Sequence, residues 1–339
     1  GPKGVGKTTM MLQYIKLNYK LLDRQVLYVS CEDKYFSNHS LLSLAEQFYL
    51  NGGRHLFLDE VHKYDDWSNE IKEIYDFYPT MRVVLSGSSL LSMTEGDADL
   101  ARRCINHDIQ GLSFREFLHF YKGIKMPVYP LEQVLENPAP LIEEMNKHGR
   151  PIALLKEYLN YGYYPYYLNN ETDYHIAIQQ VVNKIIDIEL PRICGVDLNN
   201  TRKIKSLLTI LCASVPFQVD ITKLATLSGL KRDTIINYLS YLDKAKLIRL
   251  LYSDLKNIKR MQKPDKIYID NTNLLNAWAT APIQIGTIRE TFVANQLSVN
   301  HVVEFRKTNG DFLVDSKYTF EVGGDDKDFQ QIANVADSF

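Results

Sequence analysis

The chain opens with Gly1-Pro2-Lys3-Gly4-Val5-Gly6-Lys7-Thr8, which has the spacing G-x-x-x-x-G-K-[ST]. In a loop with this spacing, the backbone N–H groups can wrap the phosphates of a nucleotide. Lys7 supplies a positive charge for the β- and γ-phosphates, and the Thr8 hydroxyl suits Mg²⁺. The following helix adds an N-terminal dipole that also favours anions. The residues therefore predicted to bind ATP or ADP are Gly1, Pro2, Lys3, Gly4, Val5, Gly6, Lys7, Thr8 and Thr9.

A second motif, an apolar run that ends in two acids, follows after one further strand and helix. His55-Leu56-Phe57-Leu58-Asp59-Glu60 is typical of a buried parallel strand that ends in the acids of a Walker B motif. Asp59 is predicted to hold the hydration shell of Mg²⁺ together with Thr8. Glu60 is predicted to orient and polarise the attacking water, because phosphoryl transfer depends on positioning and charge neutralisation. Two adjacent acids therefore favour hydrolysis over binding alone.

Further polar groups are candidates for the same site. The predicted strand Arg82-Val83-Val84-Leu85 runs into Ser86-Gly87-Ser88-Ser89, at the end of the strand where ligands bind in open α/β sheets. Either Ser86 or Ser88 is a candidate sensor of the γ-phosphate, and an ordinary polar turn that caps the next helix is an equal alternative. Arg103 is the candidate for neutralising transition-state charge, in its own subunit or across an interface. The predicted catalytic residues are therefore Lys7, Glu60 and Arg103.

These motifs resemble those of the bacterial and archaeal AAA-type ATPases that carry a C-terminal domain of unknown function with a nuclease-like end. The resemblance covers nearly the whole chain. Besides the motifs above, it includes Val61-His62-Lys63 with Trp67 after it, and Leu112-Ser113-Phe114-Arg115-Glu116-Phe117. It implies an AAA+ nucleotide domain, a helical segment, a winged helix and a terminal domain similar to restriction nucleases.

The predicted fold class is α/β. We expect a P-loop NTPase domain with a parallel sheet, then a helical and winged-helix segment and a small α/β restriction-nuclease-like domain. The expected boundaries give segments 1–122, 123–195, 196–255 and 256–339. Because a P-loop follows a buried strand in such folds, we also expect the first strand of the ATPase domain to lie upstream of Gly1.

Two stretches in the second half of the chain are candidate contact surfaces. Residues 158–167 are rich in tyrosine, which favours packing at a domain junction over stacking on bases. Residues 220–249 are typical of a helix, a glycine-containing turn and a second helix in a winged-helix-like unit. Such a unit would contact DNA through Lys231 and Arg232, but winged helices also bind proteins. DNA contact and protein contact therefore both stay open.

The C-terminal end resembles a restriction-nuclease core. In such a core a helix glutamate, a strand aspartate and an E-x-K pair surround a divalent metal. Glu290, Asp311 and Glu321 fit the acidic positions, but Gly323 stands where the lysine should be. Lys327 is the nearby replacement, although its acidic surroundings favour a solvated loop charge. We therefore expect a degenerate nuclease site with lost or very weak cleavage.

Composition limits the function classes. The chain has 339 residues, 24% of them charged, and a formal net charge of −2, and it has no apolar run long enough to span a bilayer. We therefore expect a soluble, cytoplasmic protein of several domains with no membrane partner. The near-neutral charge gives no overall attraction for nucleic acid, so DNA contact would require a local basic patch. The widely spaced Cys31, Cys104, Cys194 and Cys212 predict neither a zinc site nor disulfides.

The leading hypothesis is a Mg²⁺-dependent ATPase that acts as a nucleotide-driven switch for its C-terminal domains and an unknown protein partner. The alternatives are an ATP-coupled DNA nuclease and a nucleotide-holding scaffold with negligible turnover. A small GTPase is less favoured, because Asn183-Lys184-Ile185-Ile186-Asp187 has one residue too many for the base-reading motif N-K-x-D.

Overall fold

The computed structural model describes residues 1–90, 100, 102–168, 173–214, 217–218, 220–253, 263–324 and 331–339. The chain divides into two compact units. Unit 1 comprises Gly1–Ile109 and the short downstream segment Glu189–Gly195, whereas unit 2 comprises Gln110–Ile188 and Val196–Phe339. The start of the second part of unit 2 at Val196 coincides with one predicted boundary, whereas the predicted boundaries after residues 122 and 255 lie within unit 2.

Unit 1 is built from strands and helices that alternate along the chain. Its elements are α1 (Lys7–Asn18), β1 (Val26–Ser30), α2 (Leu41–Leu50), β2 (His55–Asp59), α3 (Trp67–Phe77) and β3 (Arg82–Leu85). The strands form a parallel sheet in the order β1-β2-β3. This confirms the predicted βαβ organisation, and it brings the carboxyl ends of all three strands to one edge of the sheet.

The core of unit 1 lies on the central strand β2. Leu56 and Leu58 are completely buried there, in one cluster with apolar residues of α2 and α3. Helix α3 contributes Trp67, Ile71 and Ile74, whose spacing of three and four residues places them on one helix face. Burial of this face fixes β2 in the middle of the sheet, so the acids at its end have a rigid support.

Unit 2 begins with helices. These are α4 (Phe114–Lys122), α5 (Leu131–Glu136), α6 (Ala139–Lys147), α7 (Pro151–Tyr161) and α8 (Tyr174–Lys184). Ser113 caps α4 through a reciprocal capping box with Glu116. After α8 the chain continues as a π-helical turn, Ile185–Glu189, and as the short helix α9 (Leu190–Cys194) of unit 1. No helix in the described part of the chain is both long and apolar enough to cross a membrane.

The next part of unit 2 combines three helices with a small antiparallel sheet. It contains α10 (Thr201–Ser214), β4 (Phe217–Gln218), α11 (Ile221–Ser228), α12 (Arg232–Lys244), β5 (Ile248–Leu251) and β6 (Lys266–Ile269). Gly229 ends α11 with a φ of 65°, as the predicted glycine-containing turn requires. The sheet order is β4-β6-β5. Strands β5 and β6 therefore pair across the predicted boundary between residues 255 and 256. This pairing joins residues that are separated along the chain and leaves no local sequence pattern.

The C-terminal part of unit 2 contains two helices and a second antiparallel sheet. The elements are α13 (Thr272–Trp278), α14 (Ile285–Leu297), β7 (Val303–Phe305), β8 (Phe312–Val314) and β9 (Tyr318–Phe320). The sheet order is β7-β8-β9. Phe312 and Val314 are completely buried in a cluster with Tyr268 of β6. This cluster joins the two sheets of unit 2 into one core.

Candidate nucleotide-binding site

The predicted P-loop runs directly into the N-terminus of α1. Gly4 and Gly6 have φ values of 85° and 93°, which glycine adopts at little cost. The loop therefore turns tightly, and the N–H groups in the first turn of α1 have no acceptor within the helix. The Lys7 ammonium lies across the loop and donates to the Pro2 carbonyl at 2.8 Å. Burial lowers the pKa of Lys7, and the nearby Glu60 partly offsets this effect. The arrangement favours an anion that would compensate the partly desolvated ammonium.

Asp59, at the end of β2, receives hydrogen bonds from three hydroxyl groups. Thr8 Oγ1 and Tyr28 Oη donate to Asp59 Oδ2 at 2.6 and 2.8 Å, and Ser86 Oγ donates to Oδ1. Asp59 is only 3% exposed. Burial alone would raise its pKa, but the three donors outweigh burial and lower the pKa below its ordinary value. An ionised carboxylate next to the Thr8 hydroxyl is a donor set that fits Mg²⁺.

Glu60 has an unusual backbone conformation. Its φ is 55°, a left-handed value that costs a non-glycine residue free energy and is often retained at functional sites. Its N–H donates to Ser86 Oγ at 3.2 Å, so the Ser86 hydroxyl bridges the two acids of the motif. Burial raises the pKa of Glu60 above its ordinary value. The raised pKa makes this carboxylate a stronger base than an exposed glutamate.

A buried histidine lies beside Glu60. Burial lowers the pKa of His62 to about 4, so the imidazole is neutral. Its Nδ1 accepts the Ser88 N–H at 3.3 Å, which places the ring proton on Nε2. This nitrogen lies 3.3 Å from Glu60 Oε2, but it has no aligned hydrogen-bond partner in the part of the chain that the structure describes. A buried N–H donor next to Glu60 fits a site for a phosphate oxygen or a water.

Glu189 of the downstream segment is also part of the site. It is 2% exposed, forms an ion pair with Lys3 of the P-loop, and accepts the Ser88 hydroxyl at 2.8 Å. Burial would raise the pKa of Glu189, but the bond from Lys3 outweighs it and keeps the carboxylate ionised. Three residues later, Arg192 donates to the Lys63 carbonyl at 3.1 Å. Sequence analysis did not identify this segment.

The structure pairs Arg103 with a carboxylate of α3. The guanidinium of Arg103 donates to both carboxylate oxygens of Asp76 on α3 at 3.1 Å. Its Cζ atom lies 6.0 Å from the centroid of the Tyr75 ring. Asp76 offers Arg103 a bidentate partner, and the role of Arg103 beside the nucleotide of its own subunit stays a prediction. A role across an interface remains a prediction.

The other predicted residues are distributed as follows. Ser86 and Ser88, the candidate sensors, lie at the carboxyl edge of the sheet but bind Asp59 and Glu189, respectively. Lys231 and Arg232 are exposed at the start of α12 in unit 2. The alternative nuclease lysine, Lys327, lies outside the described residues.

Two of the predicted nuclease-like acids, Glu290 and Asp311, lie beside a buried lysine in unit 2. Lys266 of β6 donates to Glu290 Oε2 at 2.8 Å, and its Nζ lies 3.9 Å from Asp311 Oδ1. Tyr268 also donates to Glu290, at 2.6 Å. The Asp311 N–H donates to the carbonyl of Phe320, the residue before Glu321, at 2.7 Å. In the described part of the chain, no three His, Cys, Asp or Glu side chains are placed to hold a metal. The ammonium of Lys266 is a counter-ion for Glu290 and lies near Asp311.

Replacement of Lys266 by Met should destabilise unit 2. In the unsubstituted protein Lys266 and Tyr268 both donate to Glu290, and the variant keeps only the bond from Tyr268. A buried polar group that loses a partner lowers the free energy of unfolding by about 1–3 kcal/mol. Urea unfolding of Lys266→Met and of the exposed control Lys263→Met measures the effect. Equal unfolding midpoints for the two variants would show that Lys266 is not needed as a counter-ion.

Three residues of the site were missed in the sequence, namely Tyr28, His62 and Glu189. Tyr28 lies on β1, and alternation along this strand places its side chain on the same face as Ser30. His62 lies two residues beyond Glu60, within the quoted motif. Glu189 has no local signal, because its partner Lys3 is 186 positions away.

Comparisons with known proteins agree with the two-part organisation. Residues 1–118 match the family model of an AAA domain, and residues 152–283 match that of a domain of unknown function, DUF8612. The uncharacterized protein MJ1637 of Methanocaldococcus jannaschii is 26% identical over 361 residues, which cover 98% of this chain and 76% of that protein. A solved structure of the replication initiator DnaA bound to AMPPCP and single-stranded DNA shows 16% identity, with coverage of 73% of this chain and 81% of that chain. Its TM-score of 0.26 is too low to indicate a shared fold. Residues 1–118 are therefore similar to an AAA domain, and residues 152–283 are similar to a domain of unknown function.

Proposed function

We propose that this protein is a Mg²⁺-dependent ATPase that acts as a nucleotide-driven switch for the part of the chain that follows. The observation that carries the proposal is the contact of 2.6 Å between Thr8 and Asp59, which brings the P-loop and the end of β2 to one point. Glu60 lies next to this point with a raised pKa. The arrangement supports binding of a phosphate chain and activation of a water molecule.

Each residue has a defined task in this proposal. The P-loop N–H groups and Lys7 bind the phosphates, and Thr8 and Asp59 would hold Mg²⁺, which would supply charge neutralisation during phosphoryl transfer. Glu60 orients the attacking water and accepts its proton. His62 Nε2 offers a further N–H beside Glu60, for the water or for a phosphate oxygen. The similarity of residues 1–118 to an AAA domain supports ATP as the nucleotide, and none of the residues named here contacts the base in this proposal.

Replacement of Lys7 by Ala tests nucleotide binding. A charge-assisted hydrogen bond contributes about 1.5–3 kcal/mol, so the variant should bind ADP and ATP roughly 10- to 100-fold more weakly. Lys16→Ala is the matched control, because Lys16 is an exposed lysine on the same helix. Titration calorimetry measures both affinities. An unchanged affinity for Lys7→Ala would remove the P-loop from the proposal.

The two alternatives make different predictions. An ATP-coupled nuclease would cut DNA with a divalent metal and lose this activity in Asp311→Ala. The lysine between Glu290 and Asp311 supports the opposite expectation, because it neutralises the carboxylates that would bind the metal. A nucleotide-holding scaffold would bind ATP or ADP without multiple turnover. DNA contact through Lys231 and Arg232, and the identity of a protein partner, remain predictions.

A further inference from the structure

The segment Glu189–Gly195 belongs to unit 1 although both of its flanks belong to unit 2. The chain enters the segment from Ile188 and leaves it at Val196. It begins at the last residue of a π-helical turn, and such turns are frequent at functional sites. The segment is therefore covalently continuous with unit 2 at both ends, while its own contacts lie in unit 1.

The segment contacts all three loops that carry the candidate site. Glu189 binds Lys3 in the P-loop and accepts the Ser88 hydroxyl, beyond β3, at 2.8 Å. Arg192 donates to the Lys63 carbonyl, beyond β2, at 3.1 Å. The position of the segment therefore depends on the geometry of the P-loop and of the loops that follow β2 and β3.

The contact between Lys3 and Glu189 has a specific electrostatic consequence. A buried carboxylate is costly without a cation, and Lys3 is the cation that binds Glu189. Lys3 also stands within the loop that is proposed to wrap phosphates, so a bound nucleotide offers this ammonium a second anionic partner. The two partners compete for one ammonium group.

We propose that Glu189 is a positioning residue that competes with nucleotide phosphates for Lys3, so that phosphate binding weakens the attachment of the segment Glu189–Gly195. This inference rests on the proposed function, because it requires a nucleotide in the P-loop. Coupling of this kind is reciprocal. Nucleotide binding weakens the contact between Lys3 and Glu189 by a certain factor, and release of the segment strengthens nucleotide binding by the same factor. The nucleotide state is thereby transmitted to a part of the chain that continues directly into unit 2.

The affinity of Glu189→Gln for nucleotide tests the competition in the full-length protein. Gln has the size of Glu and keeps an acceptor for Ser88, but it removes the charge that holds Lys3. We expect ADP and a non-hydrolysable ATP analogue to bind about 5-fold or more tightly to this variant, within the range typical of coupled sites. In a Lys3→Met background the same substitution should change affinity by no more than about 2-fold, because both residues act through one contact.

Hydrogen exchange of the amides in residues 185–195 gives a second readout, which a merely structural role would not produce. In the unsubstituted protein, the nucleotide analogue should increase exchange in this segment. In Glu189→Gln and in Lys3→Met, hydrogen exchange in this segment should already be high without nucleotide. Addition of the nucleotide analogue should not change it. Asp187→Asn is the matched control, because Asp187 pairs with Lys205 of unit 2 at 2.6 Å, and it should leave both readouts unchanged.

Two results would overturn the inference. One is an affinity in Glu189→Gln equal to that of the unsubstituted protein, and the other is a full exchange response to nucleotide in Lys3→Met. If Glu189→Gln does not fold, Lys3→Met breaks the same contact from the other side and decides the question through exchange. Failure of the unsubstituted protein to bind any nucleotide would instead refute the proposed function, so the two failures are distinguishable.

Discussion

Glu60→Gln is expected to lower the turnover number for ATP by about 10²- to 10⁴-fold, the usual contribution of a positioned general base. Gln keeps the size and hydrogen-bonding capacity of the side chain but cannot accept the proton of the attacking water. The backbone of Glu60 has a left-handed conformation, and its N–H donates to the Ser86 hydroxyl at 3.2 Å. Both features fix the position of residue 60. Nucleotide affinity should therefore change by no more than about 3-fold, because Lys7, Thr8 and Asp59 remain in place.

The experiment requires turnover and affinity to be measured separately. Phosphate release at saturating ATP and Mg²⁺ reports the turnover number, and titration with ADP reports affinity. Glu73→Gln on the exposed face of α3 is the matched control and should keep both values. Retention of more than about a third of the turnover in Glu60→Gln would assign the proton acceptor to another group.

Asn273→Leu is expected to destabilise unit 2 by about 3–5 kcal/mol, because several buried groups lose their partner at once. Asn273 is completely buried. Its Oδ1 accepts the Tyr163 N–H at 2.7 Å and the Tyr174 hydroxyl at 2.6 Å. Its Nδ2 donates to the carbonyls of Tyr158 and Leu159 at 3.0 and 2.8 Å. Leucine has a similar volume but offers none of these four bonds.

Urea unfolding followed by circular dichroism measures this loss. Asn276→Leu is the comparison, because Asn276 lies on the same helix, is only partly buried and donates to the Leu159 carbonyl at 3.1 Å. Its loss should be about 1 kcal/mol, the net value of an ordinary hydrogen bond. Equal losses for the two variants would show that the Asn273 network does not organise the tyrosine cluster.

The tyrosine-rich stretch shows what composition can predict. Packing was favoured over stacking on bases, and Tyr158, Tyr163 and Tyr164 of this stretch are buried. The large apolar ring of tyrosine made this predictable. The residue that satisfies the polar groups of the cluster was not predictable, because Asn273 lies 115 positions from Tyr158 and asparagine carries no periodic signal.

The sheet and the Walker acids of unit 1 were predictable for physical reasons. Strand β2 is buried on both faces and reads as a continuous apolar run, and α3 shows the helical spacing of Trp67, Ile71 and Ile74. Thr8 and Asp59 could be paired because the P-loop and strand ends of such sheets meet at one edge. Local patterns were therefore sufficient for the centre of the site.

The contributions of Glu189 and Lys266 were not predictable. Both are charged residues that became buried through partners distant in sequence, Lys3 for Glu189 and Glu290 for Lys266. A lone charge in a sequence most often indicates a solvated surface, so only the folded structure reveals such a pair. Arg103 is a further example, because the sequence around it did not reveal that it pairs with Asp76.

The most direct test of the account is steady-state phosphate release by the unsubstituted full-length protein with ATP, in the presence and absence of Mg²⁺. We predict many turnovers for each protein molecule with Mg²⁺, and loss of turnover when the metal is chelated, because Thr8 and Asp59 form the metal-binding pair of the site. Tight nucleotide binding without multiple turnover under both conditions would contradict the account and would favour the nucleotide-holding scaffold.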